Sequence, residues 1–78
     1  MPHVTERDRI AAEVRAELGR QGKTQREVAD LLDMTQQSFH LRLAGTRSFR
    51  AEEITKLAEV LGVPASRFLS ADTVTGAA

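Results

Sequence analysis

Two short helical segments joined by about three residues constrain this chain more than any other feature of its sequence. The first, Thr24 to Leu32, opens on the letters TQRE, which have the form of a capping box, and carries its apolar residues on one face. After Asp33 and Met34, Thr35 is placed to cap the second segment, Gln36 to Ala44. Because so short a link makes two helices cross steeply, we expect the second helix to protrude from the body of the protein.

Periodic apolar residues predict three further helices around this pair, and no stretch shows the alternation typical of a strand. The first helix begins after Thr5, with acidic residues in its first turn. A fourth helix covers the letters AEEITKLAEVL and ends at Gly62. A last short helix is predicted with Pro64 at its first position and with Phe68 and Leu69 turned inward.

Five helices in a chain of 78 residues form a single domain. The chain has 78 residues and no cysteine, so neither a disulfide nor a cysteine-based zinc site supports its core. We predict an all-α fold, a compact five-helix bundle over residues 6–69, with a flexible N-terminus over 1–5. Residues 70–78 are predicted to be a flexible tail or the start of a linker. Phe49, an aromatic residue in a polar loop, is expected to fold back onto the core.

The charge distribution favours one positive face. Eleven basic and eleven acidic residues cancel over the whole chain. Between Met34 and Ala51, however, there are three arginines and no acidic residue, so this stretch carries +3 and the remainder −3. The apolar runs are short and the first residues lack the pattern of a signal peptide, so we expect neither a membrane span nor secretion.

The sequence offers no set of residues for catalysis or metal binding. His3 and His40 lie far apart and have no ligand partners at metal spacing. Phosphate-binding glycine loops and serine-nucleophile motifs are absent from the sequence. Two glutamate pairs are interpreted as ordinary solvated helix residues: Glu13 with Glu17, and Glu52 with Glu53. We therefore predict a protein that is not an enzyme and that uses no cofactor, metal or small-molecule substrate.

The outer face of the third helix has the chemistry to contact DNA bases. Gln36, Gln37, Ser38 and His40 offer donors and acceptors with no carboxylate among them. Glutamine pairs with adenine through two hydrogen bonds, and Leu41 is suited to contact a thymine methyl group. We predict base contacts in the major groove from Gln36, Gln37, His40 and Leu41. The alternative interpretation is that the two adjacent glutamines are ordinary solvated residues.

Two long runs of this sequence resemble one known family. The chain reads TQREVADLLDMTQQSFHLRLAG and then FRAEEITKLAEVLGVPASRFL, and over roughly residues 10–69 it resembles the phage repressor and Cro-like helix-turn-helix proteins. The most specific part is the signature ITKLAEVLGV, from Ile54 to Val63. The letters TQQS resemble the base-reading segment of lambdoid phage repressors, and RLAG with Phe49 resembles an actinobacterial or actinophage branch. The resemblance implies a lambda-repressor-like bundle in which helices 2 and 3 form the helix-turn-helix.

The resemblance also implies which residues contact DNA, and three positions depart from the family's pattern. It implies base contacts from Gln36, Gln37 and Leu41, and phosphate contacts from Gln25, Thr35, Thr46, Arg47 and Ser48; we add Ser38, Arg42 and Arg50 as phosphate contacts. Asp33 stands where the family usually has glycine, which requires a left-handed or otherwise adjusted backbone. Leu41 replaces the usual polar reader. Arg50 replaces the usual Ser or Thr cap, so either the cap is lost or the arginine is kept for phosphate binding.

The predicted function is sequence-specific binding to a double-stranded DNA operator by a cytoplasmic transcriptional repressor, in a bacterium or a phage-infected host. A domain of this size is expected to bind as a homodimer on two half-sites. The dimer contact is predicted near the C-terminal helix, at surface formed by Val63, Phe68 and Leu69, and Leu31 also lies outside its helix's inner stripe. Two alternatives stay open: an antitoxin or other protein-interaction module, and the amino-terminal part of a longer repressor.

Overall fold

The computed structural model describes residues 5–69, which form four α-helices and one short 3-10 helix with no strand among them. In chain order these are α1 (Glu6–Gln21), α2 (Gln25–Leu31), α3 (Gln36–Leu43), α4 (Ala51–Leu61) and the 3-10 helix Ala65–Arg67. None of these helices combines the length and the apolar character needed to cross a membrane. His3 and the segments 1–4 and 70–78, predicted to be flexible, lie outside the described residues.

Threonine side chains begin the first three helices, as the sequence predicts. The hydroxyls of Thr5, Thr24 and Thr35 each accept a hydrogen bond from the backbone N–H three residues further on, at 3.0 to 3.1 Å. The carboxylates of Asp8 and Glu27 in turn accept hydrogen bonds from the backbone N–H groups of Thr5 and Thr24, which completes two capping boxes. Because these bonds are local in sequence, the starts of the helices follow directly from the residue types.

Each α-helix is stopped by a residue in the left-handed conformation. Three of these residues are glycines, Gly22, Gly45 and Gly62, and the fourth is Asp33 with φ of 58°. At Asp33 the backbone N–H donates to Asp30 O at 3.1 Å, and the next N–H donates to Ala29 O at 2.9 Å. This is the Schellman pattern of a helix end, which closes α2 without glycine. The left-handed turn predicted at Asp33 is confirmed.

The predicted fifth α-helix is wrong, because the chain forms only one 3-10 turn there. Pro64 is extended (φ −68°, ψ 144°) and lies before the helix instead of at its first position. The N–H groups of Arg67, Phe68 and Leu69 each donate three residues back, at 2.9 to 3.3 Å, which is the tighter 3-10 pattern. One turn is enough to bring Phe68 into the core, where it is 1% exposed.

The core lies between the four α-helices and the 3-10 helix. Its fully buried large side chains are Phe39, Phe68, Leu43, Leu57, Val14 and Val28. Burial of a side chain of this size contributes about 1.5 to 3 kcal/mol. Phe49 is half-buried against this cluster, with its ring edge on Phe39 at 6.1 Å between centroids and 70° between planes. The prediction that Phe49 folds back onto the core is confirmed.

Glu17 is buried, so its interpretation as a solvated residue is wrong. Its Oε1 atom accepts from Arg20 at 2.9 Å and from Arg67 at 3.1 Å, and its Oε2 atom accepts from Gln21 at 2.9 Å. Gln21 also donates to Leu61 O at 2.8 Å. The hydrogen bonds from Gln21 and then from Arg20 hold the pKa of the Glu17 carboxyl below its ordinary value. This Glu17 cluster (Glu17, Arg20, Gln21 and Arg67) joins α1 to the C-terminal end of the fold.

Candidate nucleic-acid interface

The α2–turn–α3 unit is held together by the turn at its centre. α2 and α3 pack on each other, and Leu32 to Thr35 connect them. Within this connection Leu32 is buried and Met34 is half-buried against the core, so two of the four residues point inward. Thr35 then begins α3 with its hydroxyl on Ser38 N. The short connection predicted from the sequence is therefore present, and it is packed.

The α3 outer face, which we define as Gln36, Gln37, His40 and Leu41, carries the four predicted base contacts. Gln36, Gln37 and His40 are exposed and Leu41 is half-buried, while Phe39 and Leu43 of the same helix point into the core. No acidic residue lies in the first turn of α3. The side chains of Gln36 and Gln37 make no hydrogen bond within residues 5–69. Their amide groups are thus available to a partner.

His40 links this face to the start of α2. Its Nδ1 atom lies 3.3 Å from Gln25 Oε1, and Gln25 is itself half-buried. When Nδ1 carries a proton, it donates to that oxygen and leaves the amide nitrogen of Gln25 free to donate elsewhere. The structure therefore places a predicted base contact and a predicted phosphate contact next to each other.

The loop from Thr46 to Arg50, called the 46–50 loop below, is anchored at both ends. The backbone N–H groups of Thr46 and Arg47 donate to Leu41 O at 3.0 and 3.2 Å, which ties the start of the loop to α3. Phe49 packs on the core near the other end. Thr46, Arg47 and Ser48 are exposed between these anchors. Their side chains lie in a fixed loop next to the C-terminal end of α3.

Arg50 stands at the N-cap of α4, and its side chain makes no capping hydrogen bond. The backbone N–H of Arg50 donates instead to Glu53 Oε1 at 2.8 Å, so the glutamate supplies one half of a capping box. The Arg50 side chain is 73% exposed, and its Nη1 atom lies 4.0 Å from Glu52 Oε1, also on the surface. A pair this exposed contributes little to stability. The side-chain cap is therefore lost, and the guanidinium is accessible.

Arg42 and Ser38, two of the predicted phosphate contacts, are bonded to each other. Arg42 Nη1 donates to the carbonyl and the hydroxyl oxygen of Ser38, and Arg42 Nε donates to Glu53 Oε1 at 2.9 Å. The side chains of Arg42 and Glu53 are only 11% and 18% exposed. The interpretation of Glu53 as a solvated residue is therefore wrong. Of the three arginines in the basic stretch, Arg47 and Arg50 carry the exposed charge.

Two polar contacts that fix α3 in the fold were not predicted from the sequence. Arg15 of α1 donates to Leu43 O, the last carbonyl of α3, and Glu53 of α4 holds Arg42. A signal existed for Glu53, because a glutamate at the third position of a helix is typical of a capping box. For Arg15 the sequence gives no such signal, since its partner is a backbone atom 28 residues away.

Residues 5–69 show no other kind of site. They contain no group of three His, Cys, Asp or Glu side chains placed to hold a metal ion. They also enclose no pocket. The polar surface along α2, α3 and the 46–50 loop is therefore the candidate site that the described part of the chain offers.

Two short helices joined by a packed turn, with the second helix presenting free polar groups, define a helix-turn-helix protein. Comparison with protein-family models agrees with this class. The model described as "Helix-turn-helix domain" matches residues 9–69 of the 78. The chain therefore belongs to this helix-turn-helix family, a DNA-binding kind of domain. The comparisons with curated proteins and with solved structures gave no significant match.

Proposed function

We propose that this chain binds double-stranded DNA in a sequence-specific manner and regulates transcription, with α3 in the major groove. The observation that carries the proposal is the α3 outer face, whose two glutamines are exposed and free of internal hydrogen bonds, in a first turn that contains no acidic residue. Occupation of an operator, and hence repression as in phage repressors, is the outcome we expect.

Base readout is assigned to the α3 outer face. Gln36 and Gln37 have amide groups that pair with adenine through two hydrogen bonds. His40 offers a ring nitrogen, and Leu41 offers an apolar surface for a thymine methyl group. Because Leu41 is half-buried at the far end of this face, we expect it to contact the base pair closest to the 46–50 loop.

Phosphate contacts are assigned to both ends of the helix-turn-helix. Gln25 and Thr35 lie at the starts of α2 and α3. Thr46, Arg47, Ser48 and Arg50 lie in the 46–50 loop and are exposed. Phosphate contacts position the protein on the DNA backbone, whereas contacts to the bases determine which sequence it prefers. Arg47 and Arg50 supply the charge and with it the salt dependence.

The partner is a DNA operator in the bacterial cytoplasm, bound by two copies of this chain. One short helix reads only a few base pairs, and two half-sites about 34 Å apart provide the missing affinity and specificity. Of the residues predicted for the dimer contact, Phe68 is excluded because it is 1% exposed in the core. Val63 and Leu69 reach the surface and remain the proposed contact.

Selection of binding sites from random duplex DNA tests this proposal. The selected duplex is then titrated against a scrambled duplex of the same composition at physiological salt. We expect a palindromic motif that binds at least about a thousandfold tighter than the scrambled DNA. A palindromic motif would indicate binding as a dimer. The ratio of the affinities for the selected and the scrambled duplex measures sequence specificity.

The absence of enrichment, with only weak and salt-sensitive binding, would contradict the proposal and favour a protein-interaction module or antitoxin. Such a module needs a large apolar surface away from α3. Within residues 5–69, Leu31, at 52% exposure, is the one large hydrophobic side chain that is exposed. The described surface therefore favours DNA as the partner.

A further inference from the structure

We infer that Arg42 and Glu53 are a positioning pair that determines sequence preference by fixing α3 relative to the 46–50 loop, and that Arg42 does not bind phosphate. This inference rests on the proposed function. It changes the role of one predicted phosphate contact and adds a residue, Glu53, that touches no DNA.

The first observation is that Arg42 is bonded inside the protein through two of its three guanidinium nitrogens, Nε and Nη1. Its Nε atom donates to Glu53 Oε1, and its Nη1 atom donates to both oxygens of Ser38. The side chain is 11% exposed and its charge is paired with a glutamate that is 18% exposed. At this exposure the guanidinium presents little surface to a phosphate. Turning it outward to bind one would break its bond to Glu53, which would remain mostly covered without a cation.

The second observation is that one oxygen atom of Glu53 accepts hydrogen bonds from both α3 and the 46–50 loop. Oε1 accepts from Arg42 Nε at 2.9 Å and from the backbone N–H of Arg50 at 2.8 Å. Arg42 belongs to α3, and Arg50 is the last residue of the 46–50 loop. The atom therefore joins the base-reading helix to the end of the loop that is proposed to bind phosphate.

The third observation is that α3 packs mainly on α1 and α2. The side-chain hydrogen bond that joins α3 to α4 within the described residues is the one between Arg42 and Glu53. Without it the core still holds Phe39 and Leu43 of α3. Loss of the pair is thus expected to leave a folded protein in which the outer face of α3 is displaced relative to the phosphate contacts.

The test compares Arg42→Ala, Glu53→Ala and the double variant with Arg47→Ala, a matched loss of one exposed arginine. Each is titrated with the selected duplex and with scrambled DNA over a range of salt concentrations, at a temperature where thermal unfolding shows the variant to be folded. We expect each single variant of the pair to lose roughly tenfold in affinity for the selected duplex, and little for scrambled DNA. The double variant should lose no more than the single variants, because the two residues act as a unit.

The salt dependence separates positioning from phosphate binding. The logarithm of the binding constant falls linearly with the logarithm of the salt concentration. Each side chain that neutralises a DNA phosphate adds about 0.9 to the steepness of this line. We expect Arg47→Ala to lower this slope by about one and Arg42→Ala to leave it unchanged. An equal loss on both DNA molecules with a lower slope in Arg42→Ala would overturn the inference, and so would losses that multiply in the double variant.

Arg42→Lys provides a second variant if Arg42→Ala does not fold. Lysine keeps the charge that a phosphate needs but has no planar fork to bond Glu53 and Ser38 together. We expect it to lose sequence preference with an unchanged slope, whereas unchanged preference would overturn the inference. If the parent protein itself shows no preferred duplex, the proposed function fails and the inference fails with it.

Discussion

Two polar regions of this molecule use similar residues in opposite ways. In the Glu17 cluster, two guanidinium groups and an amide all donate to one carboxylate, that of Glu17, a residue that is 4% exposed. On the α3 outer face, the amides of Gln36 and Gln37 bond to nothing within residues 5–69. Residue type alone therefore does not separate structural from recognition groups in this small domain. What separates them is whether their hydrogen bonds are already satisfied.

Mutations in the Glu17 cluster and on the α3 outer face are therefore expected to have different consequences. A removed group in the Glu17 cluster leaves partners without their bonds, so the effect falls on the free energy of unfolding. Removal of the Gln36 or Gln37 amide from the α3 outer face breaks no internal bond, so the effect falls on the DNA complex. The assignment of the two regions would be wrong if variants of the Glu17 cluster changed only DNA binding, or if variants of the two glutamines changed the free energy of unfolding.

The largest expected effect concerns Gln37→Ala, which tests the recognition side. Loss of a two-bond contact to a base is expected to weaken binding to the selected duplex by about 1 to 3 kcal/mol. Binding to scrambled DNA and the thermal midpoint should be unchanged, because Gln37 is exposed and makes no internal bond. Titration with both DNA molecules checks this, and equal losses on every sequence would contradict the assignment to base readout.

An effect of similar size, on stability instead of binding, is expected for Gly45→Ala, which tests a structural residue between α3 and the 46–50 loop. Gly45 has φ of 81°, and an added Cβ would lie 2.6 Å from Asp8 Oδ1. Asp8 is held in the capping box of α1 by Thr5, so it moves only at the expense of that cap. The strain and the loss of the cap together are expected to destabilise the fold by about 2 kcal/mol.

Gly19→Ala is the matched control for this change. Gly19 lies within α1, and an added Cβ there would meet nothing within 4 Å. Alanine is the better helix former, so we expect stabilisation of up to about 1 kcal/mol. Urea denaturation of both variants measures the difference. Equal effects of the two substitutions would show that neither the positive φ of Gly45 nor the approach of an added Cβ to Asp8 matters for stability.

The smallest expected effect is a change in acid sensitivity at the Glu17 cluster. The folded state lowers the pKa of Glu17 below 4.5 through its bonds to Gln21 and Arg20. The stabilisation is therefore complete above about pH 4.5 and is lost as the pH falls through the lower folded pKa. Glu17→Gln removes this titration, and the free energy of unfolding should fall less steeply below pH 4.5.

Glu13→Gln, one turn earlier in α1, is the control for acid sensitivity. Glu13 makes no hydrogen bond or ion pair within the described residues. The same change from carboxylate to amide therefore breaks no contact at this position. Urea denaturation from pH 3 to pH 6 gives both slopes, and identical slopes for the two variants would show that Glu17 contributes nothing to acid sensitivity.

Local features of the fold follow from the sequence, because their partners lie within a few residues. The caps at Thr5, Thr24 and Thr35 and the left-handed turn at Asp33 are each predicted and each present. The assignment of Phe49 to the core also follows, since an aromatic residue in a polar loop has few other uses. These features define the helix-turn-helix before any coordinates are known.

The polar contacts between distant elements do not follow from the sequence. Glu17 and Arg67 are separated by 50 residues, and Arg42 and Glu53 by 11. A weaker signal for Glu17 exists, because the spacing of Ile10, Val14, Glu17 and Gln21 places them on one face of α1. A charged residue on an apolar face can equally lie at the edge of that face and reach solvent. The packing of Arg67, 50 residues away, against the Glu17 carboxylate distinguishes these outcomes, and the sequence does not reveal it.

The ring contact between Phe39 and Phe49 has a thermodynamic consequence for DNA binding. It joins the centre of α3 to the 46–50 loop, so the two parts of the proposed interface are already in register before DNA arrives. A protein that folds a segment on binding shows a large negative heat capacity change from the extra surface that it buries. Docking by this preformed surface involves no such folding. Its heat capacity change then reports only the surface shared by protein and DNA.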